Sequence, residues 1–246
     1  MKIAILTDKT RTADLPGEEG HREDLQKKRT IADIFKVLSN KYECKVLEAD
    51  EDMIETLREE KVDLVFNMCN GTRGKTRLAQ IPALLEFAGI PYTGSSILGH
   101  ALAINKEYAC KMFKESGIST PDFVTVHNNE ELSNLSERDI KFPAIVKPSD
   151  EGSGRGIHQD SLVYDMDSLK EKVKEELKVY NPPIMVTEFI DGREFTVGII
   201  ENGDDMKVLP ILEINFQQLP DGFAKFYSFE VKSKYEAETI FECPAT

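Results

Sequence analysis

Apolar and polar positions alternate along the chain with two different periods. Ile3–Leu6, Cys44–Leu47 and Val62–Asn67 are short, mainly apolar runs that predict buried strands. Leu25–Leu38 carries Ile31, Ile34, Phe35 and Leu38 at helical spacing, and Ile54–Glu60 and Leu78–Ala88 read as helices too. Strands that alternate with helices predict an α/β unit, small and doubly wound, with a parallel sheet and crossovers. Asp8–Gly20 is polar and holds Pro16 and Gly17, so a long loop is expected there, and Gly71–Gly74 is expected to turn. Loops at the ends of such strands are where ligands usually bind.

The pattern changes after Gly89–Ser95. His100–Ser116 predicts one helix, stopped by Gly117. Phe123–Val126, Ala144–Val146, Met185–Phe189, Glu194–Glu201 and Lys207–Glu213 predict strands typical of an antiparallel sheet, with an amphipathic helix at Met166–Val179. Two domains are expected, 1–102 and 103–246.

Composition narrows the partners. The 246 residues are 40% hydrophobic, enough for a sizeable core. A net charge of −13 repels nucleic acid and anionic membranes, although local donors still hold a small anion such as a nucleotide. Cys44, Cys69, Cys110 and Cys243 fall at no metal-ligand spacing and read as free thiols of a reducing cytoplasm. The apolar part of the N-terminus is too short for a signal peptide, and no run is long enough to cross a bilayer. His21, His100, His127 and His158 are scattered, which gives a histidine metal site no support.

Three segments carry candidate chemistry. Lys147-Pro148-Ser149-Asp150-Glu151-Gly152-Ser153-Gly154-Arg155-Gly156 follows an apolar strand. Its glycines let backbone N–H groups approach an anion, and its lysine adds a point charge; a hairpin linker is the plain alternative. Asn67–Thr76 contains Gly74-Lys75-Thr76 and must be tested as a P-loop. It has Cys69 where a P-loop needs a glycine, so Lys75 is not expected to hold phosphate. Val186–Val197 runs from a short strand through a turn to a second strand bearing Glu194. Its extended backbone suits an adenine edge and its carboxylate a ribose, whereas alone it would read as a hairpin.

In order, V-D-L-V-F-N, I-P-A-L-L-E-F-A-G-I-P-Y-T-G-S, I-N-K, K-P-S-D-E-G-S-G-R-G-I, E-F-I-D-G-R-E-F-T-V, F-Y-S-F-E-V-K and C-P-A resemble the D-alanine–D-alanine ligase branch of the ATP-grasp family. The resemblance implies an ATP-dependent carboxylate–amine ligase working through an acyl phosphate, with ATP and Mg²⁺ as cofactors and amino acids or peptides as substrates. Alternatives are a ligase of the same family for another amino acid or peptide, and a nucleotide-binding protein without ligase activity. A homodimer is compatible with this reading. By resemblance, Lys106 and Lys147 hold the ATP phosphates. Glu151, Gly152, Ser153, Gly154 and Gly156 belong to the glycine-rich loop that closes over them. Ser153 lies near the acceptor substrate. Thr187, Glu188, Phe189 and Ile190 match the adenine strand, Glu194 the ribose carboxylate, and Lys232 the lid residue that contacts the transferred phosphate.

Three departures from the family pattern bear on function. The family's Glu-His-Glu type segment is replaced by a longer mixed-charge loop in which only Glu18, Glu19 and His21 are comparable. Ser233 stands where an aromatic residue is usual. The family's metal ligands come after the C-P-A segment, so no metal ligand is expected within 1–246. The ATP-grasp domain is expected to lack its last part, and this chain alone is expected to be inactive and, with an open sheet edge, prone to association. Glu213-Ile214-Asn215 spells the Glu-x-Asn metal pair, but it lies before the lid segment and reads as a strand end.

Overall fold

Ile3, Ala4, Ile5 and Leu6 are each no more than 2% exposed, and the strand they form is the middle of a parallel sheet. The computed structural model describes residues 1–9, 17–136, 139–180 and 182–246. The chain forms two compact units, Met1–Ser119 and Thr120–Thr246.

In the first unit β1 (Lys2–Thr7) leads to α1 (Gly17–Leu38), β2 (Glu43–Glu48), α2 (Met53–Glu59) and β3 (Leu64–Asn67). The sheet order is β2-β1-β3, parallel throughout. A 3₁₀ turn at Arg77–Ala79 feeds α3 (Gln80–Ala88), which Gly89 stops with a left-handed φ of 70°. α4 (Ile97–Ile104) and α5 (Lys106–Glu115) follow. Ala4, Leu6, Met53, Leu57, Val65, Cys69 and Leu85 make the core. Each of the Leu, Met and Val side chains taken from water is worth about 1.5–3 kcal/mol.

Two expectations fail here. The loop expected to reach Gly20 ends sooner, because α1 already begins at Gly17; the part at 10–16 lies outside the described residues. Glu18 and Glu19 in the first turn favour the positive end of the helix and offset the glycines around them. The single helix expected over His100–Ser116 is two. Asn105 is extended at φ −96°, ψ 101°, and its side chain accepts the Tyr108 N–H at 3.1 Å, capping a new helix. The domain boundary drawn from sequence, between 102 and 103, falls inside α4, and α4 and α5 both lie in the first unit.

The second unit contains β4 (Phe123–Val126), α6 (Asn129–Asn134), β5 (Ala144–Pro148), β6 (Leu162–Val163), α7 (Met166–Val179) and β7 (Ile184–Glu188). Then come β8 (Glu194–Thr196), β9 (Ile199–Asn202), β10 (Asp205–Val208), β11 (Leu212–Asn215), α8 (Phe229–Lys234) and β12 (Ile240–Glu242). Every strand pairing is antiparallel: a four-stranded sheet β4-β7-β5-β6, a three-stranded sheet β12-β11-β8 and the hairpin β9-β10. Val126, Ala144, Val146, Leu169, Val173, Ile184 and Val186 form the core between the larger sheet and α7.

The strands expected over Glu194–Glu201 and Lys207–Glu213 are each divided. Leu209 lies against Gly198 and donates its N–H to the Gly198 carbonyl at 2.8 Å, and Pro210 has no N–H to continue the ladder. The glycine-rich segment starts later than expected, because Lys147 and Pro148 are still strand. α6 and α8 have six residues each, too few to show a helical repeat. Their caps are Asn128, whose side chain accepts the Glu131 N–H, and Ser228, whose side chain accepts the Val231 N–H.

Candidate functional site

After β5 the chain makes a tight turn rather than an open loop. Ser149, Asp150, Glu151 and Arg155 are buried, and Glu151 is tied to Arg155 by contacts of 2.8 Å. Arg155 N–H bonds to Gly152 C=O and Ile157 N–H to Gly154 C=O, both at 3.1 Å. Ser153, Gly154 and Gly156 all take left-handed φ values, of 58°, 79° and 66°. A Cβ at Gly156 would lie 2.5 Å from Pro148 Cδ and Cγ, so this glycine is required by space as well as by φ. At Gly152 a Cβ would meet nothing within 4 Å, and at Gly154 nothing closer than 3.9 Å. The outer rim of the turn is therefore open and the inner one packed.

The segment bearing Lys232 lies on this turn. Phe229 N–H donates to Ile157 C=O at 2.7 Å, and Lys232 Nζ stands 3.4 Å from Ser153 C=O. Glu194 on β8 accepts the Tyr227 N–H at 3.0 Å. Burial pushes the Glu194 carboxyl above its ordinary pKa, with the Tyr227 N–H pulling the other way. Burial would also raise Glu230, but its bonds to His158, to backbone and to Ser228 prevail and hold it near 2. Behind the turn Glu176 is buried; its Oε1 meets Lys172 at 3.1 Å, and burial raises its pKa.

The residues singled out from sequence are placed as follows. Ser153, Gly154 and Lys232 come together, and Glu194 is linked by backbone to the same segment. Lys147 lies on β5 beside Met185 of β7. Thr187 and Glu188 end β7, followed by Phe189 and Ile190. Glu188 and Phe189 already donate their N–H groups to Asp122 and Pro143, both at 2.9 Å. Lys106 opens α5 in the other compact unit. In the Asn67–Thr76 segment Gly71 N–H goes to Asp8 Oδ2 at 2.6 Å and Thr72 N–H to Gln80 Oε1 at 3.2 Å, so these amides are engaged by protein. Sequence reading passed over His158, Gln159 and Glu230. Glu230 lay in plain view inside F-Y-S-F-E-V-K, but nothing in the spacing reveals a partner 72 residues away.

Two tests bear on the implied ligands. The open rim at Gly152 and Gly154, with lysines on β5 and α8, fits a phosphate chain. For a divalent metal the residues do not fit. Among the described residues no group of three or more His, Cys, Asp or Glu is placed to hold one. Glu213 is paired with Arg193, and the Asn215 side chain accepts the Gln217 N–H at 2.9 Å. Among the described residues no helix is long and apolar enough to cross a membrane, and all four cysteines are free.

An α/β unit followed by antiparallel sheets with a glycine turn and a lid segment is the ATP-grasp architecture. The family described as "D-ala D-ala ligase C-terminus" matches residues 112–246, so the chain belongs to the D-alanine–D-alanine ligase family. It is 33% identical over 210 residues to a D-alanine–D-alanine ligase of Carboxydothermus hydrogenoformans, covering 83% of this chain and 63% of that protein. The chain thus spans less than two thirds of that relative's length. All of it superimposes on 71% of a Bacillus anthracis D-alanine–D-alanine ligase solved with ATP, at a TM-score of 0.71 and 24% identity. It is similar in fold to VanG D-Ala:D-Ser ligase from Enterococcus faecalis, with a TM-score of 0.66, 21% identity, and coverage of 99% of this chain and 76% of that one.

Proposed function

We propose that the chain binds ATP for a carboxylate–amine ligase acting on small amino-acid-like substrates. The observation that carries this is Lys232 Nζ, 3.4 Å from Ser153 C=O across the open rim of the glycine turn. A cation beside a turn whose rim carries only glycines and the small Ser153 suits a polyphosphate. ATP would supply the phosphoryl group that turns a carboxylate into an acyl phosphate open to attack by an amine. In this reading Lys147, Lys106 and Lys232 balance phosphate charge, and Gly152–Gly156 lets the chain approach closely. Glu194 accepts from the ribose hydroxyls. Adenine is read by the carbonyls around Thr187–Ile190 and the Ile190 amide, since the Glu188 and Phe189 amides are taken. The segment over the turn excludes water, which protects an acyl phosphate.

ATP titration by calorimetry tests this. Lys147→Ala and Lys106→Ala are expected to weaken binding about tenfold or more, and Lys75→Ala to leave it unchanged. Loss of binding with Lys75→Ala alone would overturn the reading. The finer proposal concerns selectivity: a full-length enzyme does not favour D-alanine as both partners, because Ser233 is small where the family is aromatic. Ligation assays with D-alanine, other amino acids and dipeptides decide it, and a clear preference for D-alanine with D-alanine would refute it.

A further inference from the structure

Two adjacent residues, His158 and Gln159, take hold of the segment that bears Lys232. The Gln159 amide uses both of its ends on one residue. Its Oε1 accepts the Ala224 N–H at 2.8 Å, and its Nε2 donates to the Ala224 carbonyl at 3.3 Å. Nε2 also donates to Ser228 Oγ at 3.0 Å, and that hydroxyl accepts the Val231 N–H at 3.3 Å as the cap of α8. The Glu230 carboxylate is gripped from both sides. His158 Nδ1 lies 2.7 Å from Oε1, and the Gln159 N–H donates to Oε2 at 3.2 Å. A carboxylate only accepts, so the proton of this pair resides on His158 Nδ1. His158 itself is held by its N–H to Ser161 Oγ at 2.9 Å and by the Phe229 ring, edge-on at 5.4 Å.

These contacts converge on the first turn of α8, and Lys232 is the fourth residue of that helix. Fixing the start of so short a helix fixes where the Lys232 stem leaves it. We infer that His158 and Gln159 form a dock that holds residues 223–234 down on the glycine turn, with Lys232 over Ser153, and that they are positioning residues for whatever Lys232 contacts. The part that concerns nucleotide rests on the ligase reading above. The hydrogen bonds of the dock are individually modest, each worth about a tenfold factor or less, and Ser228, Phe229 and Val231 are buried where they form.

Amide hydrogen exchange on the whole chain tests the dock without any ligand. Gln159→Ala is expected to speed exchange of the Ala224, Phe229 and Lys232 amides by about tenfold, while β5 and β7 stay unchanged. Glu230→Gln keeps an acceptor for the Gln159 N–H and is expected to give a smaller increase. Unchanged exchange at 223–234 in both variants would overturn the dock. ATP titration then separates positioning from a purely structural role through a double-mutant cycle with Lys232→Ala. If Gln159 acts through Lys232, the double variant binds ATP no more weakly than Lys232→Ala alone. Losses that simply multiply would refute the positioning role. A wild-type chain that does not bind ATP would defeat the ligase reading only, and the exchange rates would still decide the dock.

Discussion

The end of β1 in the first unit and the Lys232 segment in the second are secured in different ways. In the first, the end of β1 is pinned by charge withdrawn from water. Lys27 Nζ pairs with Asp8 Oδ1 and bonds to the Asp8 carbonyl at 2.6 Å, and Asp8 Oδ2 accepts the Gly71 N–H at 2.6 Å; the two side chains are 8% and 2% exposed. In the second, the lid segment is held by a neutral amide, a few backbone bonds and the Glu230 carboxylate, whose side chain is 23% exposed. Breaking a buried pair strands a charge, whereas undoing a wet hydrogen bond exchanges it for water. The ion pair that pins β1 therefore costs more to break than any single hydrogen bond that holds the other segment.

The largest effect should come from the pinned side. Lys27→Ala leaves Asp8 buried without its cation and is expected to cost about 3–5 kcal/mol. Lys141 in the second unit also pairs at 2.7 Å, with Asp122, but their side chains are 63% and 55% exposed. Lys141→Ala is expected to change stability by less than about 1 kcal/mol. Urea denaturation of both variants checks the contrast, and equal shifts in midpoint would break it.

Next in size is a contrast within one turn. Gly156→Ala must place a Cβ 2.5 Å from the Pro148 ring at a left-handed φ, at a cost of about 2–4 kcal/mol from strain and crowding together. Gly154→Ala makes only ordinary contacts, 3.9–4.0 Å from Phe229 and Lys232, and bears mainly the φ penalty, about 1–2 kcal/mol. Thermal unfolding should rank them in that order. Near-equal destabilisation would mean that the rim of the turn is packed like its interior.

What was legible in sequence follows the same division. The parallel core of the first unit could be read because Ile3–Leu6 and Val62–Asn67 carry their burial in their own composition. The antiparallel order of the second unit was legible through its alternating strands and through the glycine run that ends β5. The breaks were not legible. Asn105 and Leu209 interrupt periodic segments by caps and close contacts that a window of apolar residues does not register. The dock was hidden for a different reason. His158 and Gln159 meet residues 65 to 72 positions further on, and they are polar residues of a kind that any exposed loop carries. Spacing arguments find groups that act together in one segment, and the lid is joined to the turn by groups from two.

The smallest expected effect sharpens the side of the Lys232 segment. Glu194 and Glu230 both hold the lid segment, but their carboxyls are shifted in opposite directions. Glu230 is held near 2, below an unfolded value of about 4.3, so it binds fewer protons in the folded state. Its stabilisation is present above pH 4.3 and is lost as the pH falls from there towards 2. Glu194 is raised, so it binds protons more readily when folded, and its contribution is lost as the pH rises through its folded pKa. Acidification below pH 4 should therefore loosen the segment through Glu230, while the contribution of Glu194 is already fully present there. After discounting for the partly wet position of Glu230, the net change is about 1–2 kcal/mol. Glu230→Gln removes the titrating group and should flatten the dependence between pH 4.5 and 2.5, since Glu194 changes its contribution only above that window. Amide exchange at 223–234, corrected for intrinsic pH dependence, measures it. A segment whose protection falls equally in the variant and the wild type would show that carboxylates elsewhere govern it, and the contrast between the two segments would then rest on the buried Asp8–Lys27 pair alone.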